Sequence, residues 1–251
     1  MKKLLLGSGI FLALAAGPAW PADMPVKAPI PRAPSPVIAI YNWTGCYIGV
    51  EGGGAWGRTR HDTAAGSPTN NFNVRGGLVG GTVGCNYEPA GGPWVVGLEG
   101  DFSWVGKRGS VHEVNGFNPL AAAGVKEHWL GTGRARAGFL LSPQVLIYGT
   151  GGFAVANVEA FVDDTALGSS VFSETKTRWG WTAGGGVEWA FANNWSVKAE
   201  YLFVGLQNTS YFTPTPNPIV TSRTGVPLND NIVRAGVNYK FDWGTPVTAR
   251  Y

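Results

Sequence analysis

Of the chain's 251 residues only 14% are charged, while 38 are Gly and 11 are Trp, so it lacks the polar surface of a water-soluble domain, where about 25% of residues carry charge. An apolar content of 44% excludes a disordered chain, and a net charge of +3 gives no electrostatic footing for nucleic acid. An exported all-β protein or a membrane barrel remains.

Residues 1–22 read as a secretory signal: Lys2 and Lys3 precede an apolar run over 4–16, and small residues follow. Cleavage after Ala19 uses Gly17 and Ala19 as the small pair, whereas cleavage after Ala22 sets the bulky Trp20 in a position that is normally small. Both cuts stay open, and either removes Lys2 and Lys3 but no acid, leaving the mature chain nearly neutral. Beyond this segment nothing approaches the ~18 apolar residues of a helical span, so a mature chain that crosses a membrane must do so as a closed barrel. Residues 23–42 form a proline-rich periplasmic tail, with Pro25, Pro29, Pro31, Pro34 and Pro36 favouring polyproline II over sheet pairing.

From Trp43 to the end, residues 43–251, the period is two. The first predicted strands cover 45–56 and 72–87. The third, 94–105, is the cleanest: Trp94, Val96, Leu98, Gly100, Phe102 and Trp104 share one face, and Gly97, Glu99, Asp101 and Ser103 the other. The next two fall at 126–140 and 145–157, the latter alternating too poorly for its facing to be read. In the sixth, Trp179, Trp181, Ala183, Val187 and Trp189 alternate with Gly180, Thr182, Gly184, Gly186 and Glu188. The seventh is 195–206, and in the last Val233, Ala235, Val237, Tyr239 and Phe241 alternate with Arg234, Gly236, Asn238 and Lys240.

Connection lengths supply an independent signal. Short turns at 88–93, 141–144 and 191–194 alternate strictly with long polar segments at 57–71, 106–125, 158–173 and 207–230. Tight periplasmic turns and long external loops are the plan of an outer-membrane barrel. The expected fold is therefore all-β: an eight-stranded antiparallel up-and-down transmembrane β-barrel with four long external loops.

The inner face is expected to hold Glu51, Glu99, Asp101, Glu188 and Glu200 against Arg134, Arg136, Lys198, Arg234 and Lys240. Eight strands enclose a space that side chains fill, so these charges must pair, with Glu99 and Asp101 facing Arg134 and Arg136 across neighbouring strands. On the outer face tryptophans gather at strand ends, Trp43, Trp94, Trp189, Trp195 and Trp243 by the turns and Trp56, Trp104, Trp129, Trp179 and Trp181 by the long loops. Amphipathic indoles at both membrane interfaces explain such paired girdles. Cys46 and Cys85 fall near one rim, on the outward face of adjacent strands, in an oxidising compartment. They form either a cross-strand disulfide or two small packed thiols.

The motifs of P-loops, zinc proteases and serine-hydrolase elbows do not occur in the sequence. The glycine runs 52–54 and 184–186 precede no helix and read as close strand packing. His61, His112 and His128 are scattered in or beside the long loops, and His128 with Ser110 has no spacing that marks a lipid-modifying rim. No catalytic, metal or cofactor residues are assigned.

The segments Trp43-Thr44-Gly45-Cys46-Tyr47-Ile48-Gly49, Gly97-Leu98-Glu99-Gly100-Asp101, Tyr148-Gly149-Thr150-Gly151-Gly152 and Lys198-Ala199-Glu200-Tyr201, with the ending Tyr239-Lys240-Phe241-Asp242-Trp243, resemble the small outer-membrane β-barrel proteins of α-proteobacteria, the opacity-like or porin-family surface antigens. The likeness runs from Trp43 to Tyr251. It implies a structural envelope protein whose partners are outer-membrane lipid, lipopolysaccharide and the barrel-assembly machinery. The runner-up is a surface receptor or adhesin that binds haem or host cells through its loops, its external ligand unidentified, and a lipid-A-modifying enzyme is a distant third. Barrels of this kind end on an aromatic residue, a place that either Phe241 or Tyr251 can fill.

Overall fold

A computed structural model describes residues 41–59, 71–90, 92–112, 121–164, 169–211 and 224–241. The signal at 1–22, the tail up to 40, His61, Trp243 and Tyr251 lie outside the described residues. The strands are β1 (Gly45–Thr59), β2 (Phe72–Tyr87), β3 (Trp94–His112), β4 (Ala121–Ser142), β5 (Val145–Asp164), β6 (Ser169–Ala192), β7 (Trp195–Tyr211) and β8 (Thr224–Lys240). Each pairs antiparallel with the next, and β8 pairs back with β1 to close the barrel. Closure leaves no sheet edge, which hydrocarbon cannot solvate. At the seam the Phe241 N–H still donates to the Cys46 carbonyl at 2.9 Å, so Phe241 finishes the ladder just beyond β8.

Strand ends at the short turns fall where the alternation places them, whereas ends at the long loops lie further out. Residues 106–112, 121–125, 158–164, 169–173, 207–211 and 224–230, polar enough to read as loop, are strand. Their alternation persists with its polarity reversed. Nearer the turns the outward residues are apolar, among them Ile48, Val83, Leu98 and Val233, and the inward ones polar. Toward the loops Val125, Val158, Ala160 and Leu228 point inward into an apolar cluster while Lys126, Glu159 and Asn229 point outward. The reversal lies within β5, where inward Ala154 and Ala156 flank Val155, so both faces are apolar and the period-two signal vanishes. A bulge also shifts parity on β4, between Glu127 and Trp129, whereas on β3 the register slips between Trp104 and Lys107 with the alternation intact.

At the turn end the chain enters β1 through Gly45, whose φ of 142° suits glycine and strains residues with a side chain. This kink carries the preceding residues inward over the rim. Trp43 is consequently not a girdle residue. It is 2% exposed, packed with Tyr41, Val95, Leu146, Tyr148 and Ala190 inside the barrel mouth. Its indole N–H donates to the Pro143 carbonyl at 3.2 Å, and its backbone N–H to Glu88 at 3.0 Å. A partner for the indole and an apolar plug to complete outweigh the membrane interface for this one tryptophan.

Candidate functional site

The inward residues form layers along the barrel axis. The plug around Trp43 closes the turn end, with the Lys240 ammonium donating to the Asn42 carbonyl and lying 4.6 Å from the Tyr41 ring centre.

Above the plug lies an ionic layer. Register sets Glu99 opposite Arg134 and Gly97 opposite Arg136. Arg134 contacts Glu99 at 2.5 Å, Asp101 at 2.9 Å and Glu200 at 2.8 Å. Arg234 reaches Asp101 at 2.9 Å and Glu200 at 2.7 Å, and also pairs with Glu51. Lys198 bridges Glu51 at 3.2 Å and Glu99 at 3.1 Å, while Arg136 joins Glu188 at 2.7 Å and Glu99 at 3.4 Å. All of these side chains are buried. Removing such charges from water costs several kcal/mol per ion and is offset only by close pairing and full hydrogen bonding.

Neutral groups add to that bonding, and reading by residue charge overlooked them. Tyr47 donates to Glu99 at 2.5 Å and accepts from Arg136 at 2.8 Å, and Thr132 donates to Asp101 at 2.5 Å. Ser196 at 2.6 Å and Asn238 at 2.9 Å donate to Glu188, and the Arg136 guanidinium lies 3.9 Å from the Tyr148 ring centre. Strand parity was the available signal: Tyr47 shares its face with Glu51, and Asn238 with Arg234. Glycine makes room here, since a Cβ on Gly84 would lie 2.4 Å from the Tyr47 hydroxyl oxygen.

Toward the long loops the interior turns apolar, through Leu78, Val105, Leu130, Leu202, Val204 and Ile232 and then Phe72, Val74, Val125 and Leu228. A second buried ionic group sits at this end, where Lys107 pairs with Glu127 and, at 2.5 Å, with Asp230. Sequence reading missed it because Lys107 and Asp230 fell in segments read as long loops and the β4 bulge turns Glu127 inward against its strand's parity. Arg178 donates twice to the Gln207 carbonyl, at 3.1 and 2.5 Å.

On the outside, Trp94, Trp189 and Trp195 are exposed by the turns, and Trp56, Trp104, Trp179 and Trp181 by the loops. Trp129 is half-buried, stacked 5.7 Å from Phe102. Cys46 and Cys85 stand directly opposite each other on β1 and β2 with Cα atoms 3.9 Å apart, joined as a disulfide. His112 ends β3, and His128 is exposed, 2.9 Å from Glu159. Among the described residues no group of His, Cys, Asp and Glu is arranged to hold a metal ion.

Chain comparisons agree with this architecture. The family described as outer membrane protein beta-barrel domain matches residues 33–241. The 31 kDa outer-membrane immunogenic protein of Brucella melitensis biotype 1 is 35% identical over 252 residues, covering 96% of this chain and 100% of that one. The 25 kDa outer-membrane immunogenic protein of Brucella canis is 28% identical, covering 96% and 99%. The 22 kDa outer membrane protein of Rhizobium leguminosarum bv. viciae is 29% identical, covering 82% of each chain. With a closed barrel, an apolar belt between aromatic rims and relatives matched along their length, the chain belongs to the outer membrane protein beta-barrel domain family and resides in the outer membrane.

Proposed function

We propose that this protein is a structural element of the outer membrane, a closed rivet that contributes to envelope integrity and holds its loops at the cell surface. The observation that carries the reading is the filled interior, a paired ionic layer between an apolar plug and an apolar cluster that itself encloses the Lys107 group, with charges spent on one another and not on a solute path. Its partners are the surrounding lipid and lipopolysaccharide and, during folding, the barrel-assembly machinery, for which Phe241 at the end of the last ladder is the terminal aromatic.

The test is a deletion strain challenged with detergent and large antibiotics. Sensitivity should rise, and should be restored equally by the full chain and by a chain shortened in segments 60–70 and 212–223. Restoration by the full chain alone, or a deletion without effect, would favour the alternative of a receptor or adhesin acting through its loops.

A further inference from the structure

The wall formed by β8, β1, β2 and β3 carries arginines that the interior does not use. Arg58, Arg75 and Arg108 are exposed, and alternation turns them outward, since Gly57, Val74 and Lys107 beside them point inward. They sit on the long-loop side of the girdle: Arg58 follows Trp56 along β1, and Arg108 follows Trp104 along β3. Register places Arg75 directly opposite Arg108, Arg108 directly opposite Lys126, and Arg58 opposite Asn73, diagonal to Arg75. Like charges facing each other across adjacent strands destabilise a sheet.

At Lys126 the repulsion is answered, by Glu159 at 3.7 Å and by the Phe161 ring at 4.4 Å. No described carboxylate pairs with Arg58, Arg75 or Arg108, whereas each arginine of the ionic layer touches at least two carboxylates. Beside the cluster an open groove of about 780 Å³ is lined by Trp56, Arg58, Asn73, Arg75, Asn229 and Asn231. It combines guanidinium forks, carboxamides and an indole.

We propose that the phosphorylated headgroup of an outer-leaflet glycolipid binds at the edge of this groove, with a phosphate bridging Arg75, which lines it, and Arg108, its cross-strand neighbour outside the lining, and with the sugar in the groove beside Arg58. A guanidinium pair matches phosphate oxygens bidentately, the asparagine carboxamides suit sugar hydroxyls, and the anion turns cross-strand repulsion into attraction. A lipid is the source because the site opens on the lipid-facing wall at the aromatic rim, and on the loop side, where the outer leaflet's headgroups lie. The proposal deepens the reading of lipopolysaccharide as a partner and rests on it and on the barrel's orientation, not on the structural role.

The test uses the mature barrel in phosphatidylcholine nanodiscs doped with lipid A, with dephosphorylated lipid A, or with neither, the last also in the presence of inorganic phosphate. The wild-type chain should retain lipid A over its dephosphorylated form by roughly tenfold, the scale of charge-assisted bonds. The Arg75→Gln, Arg108→Gln double variant should lose that preference while unfolding at a higher temperature than wild type without lipid A, because repulsion is relieved. Lys126→Gln, already answered by Glu159, should keep the preference. Equal retention of the two lipids, or a preference that survives in the double variant, would overturn the site. Inorganic phosphate raising the unfolding temperature as much as lipid A would overturn its assignment to a lipid. Should the double variant not fold, Arg75→Gln alone carries the same comparison. Loss of the preference would leave the deletion phenotype untouched, so the two readings fail separately.

Discussion

Toward the short turns the barrel wall is apolar outside and ionic inside, whereas toward the long loops it is polar outside and apolar inside. The inner volume is the same narrow space in both halves, and side chains fill it in both. What differs is the medium against the outer face. Where that medium is hydrocarbon, apolar residues are drawn outward, and the interior receives the charges. Where it is headgroup and water, the hydrophobic effect reclaims most of the interior, and charges other than the Lys107, Glu127 and Asp230 group and Arg178 go out. Because apolar layers seal the ionic one from above and below, its groups have little water to fall back on, and pairing becomes the condition for folding.

The largest expected effect tests the ionic half. Replacing Arg134 and Arg136 together with Met leaves Glu99, Asp101 and Glu188 short of partners, and breaking even one buried pair costs about 3–5 kcal/mol. The folded, heat-resistant form in detergent should be lost at a markedly lower temperature, and an unchanged transition would contradict the inward facing of these strands.

The apolar half is tested by contrast. Leu202 is fully buried inside at 0% exposure, whereas Leu98 faces lipid at 69%. Leu202→Ala should cost about 2–5 kcal/mol through the cavity it leaves, and Leu98→Ala less than about 1 kcal/mol. Equal losses would mean that the polarity reversal is misplaced. A smaller effect is expected at Gly84→Ala, whose new methyl displaces Tyr47 from Glu99 and Arg136 at a cost of about 1–3 kcal/mol. Combined with Tyr47→Ala it should cost less than the sum of the two single changes, and strict additivity would rule out that clash. The least perturbing test is one of mass: alkylation of the mature chain without reduction should leave Cys46 and Cys85 unlabelled. Two labels would mean free thiols.

This contrast also explains what the sequence discloses. Strand number, turn positions and the facing of 94–105 are legible because hydrocarbon outside and charge inside give the strongest period-two signal available. The same pattern fades at the girdle, so 106–112 and 224–230 look like loop although they are strand. On β5 the signal is absent for a physical reason, because residues 153–156 are apolar toward both lipid and core. The charged members of the ionic layer are readable one strand at a time, but Tyr47 and Asn238 are visible only once parity is followed past the charges. Glu127 is hidden by its bulge, and Trp43 by a kink that only Gly45 announces.

The central claim is that the interior is filled from end to end, and single-channel recording in planar bilayers tests it most directly. Pure refolded protein should give no large, steady conductance at any salt concentration. Recurrent porin-sized steps from the wild-type chain would contradict the closed interior and the structural role built on it.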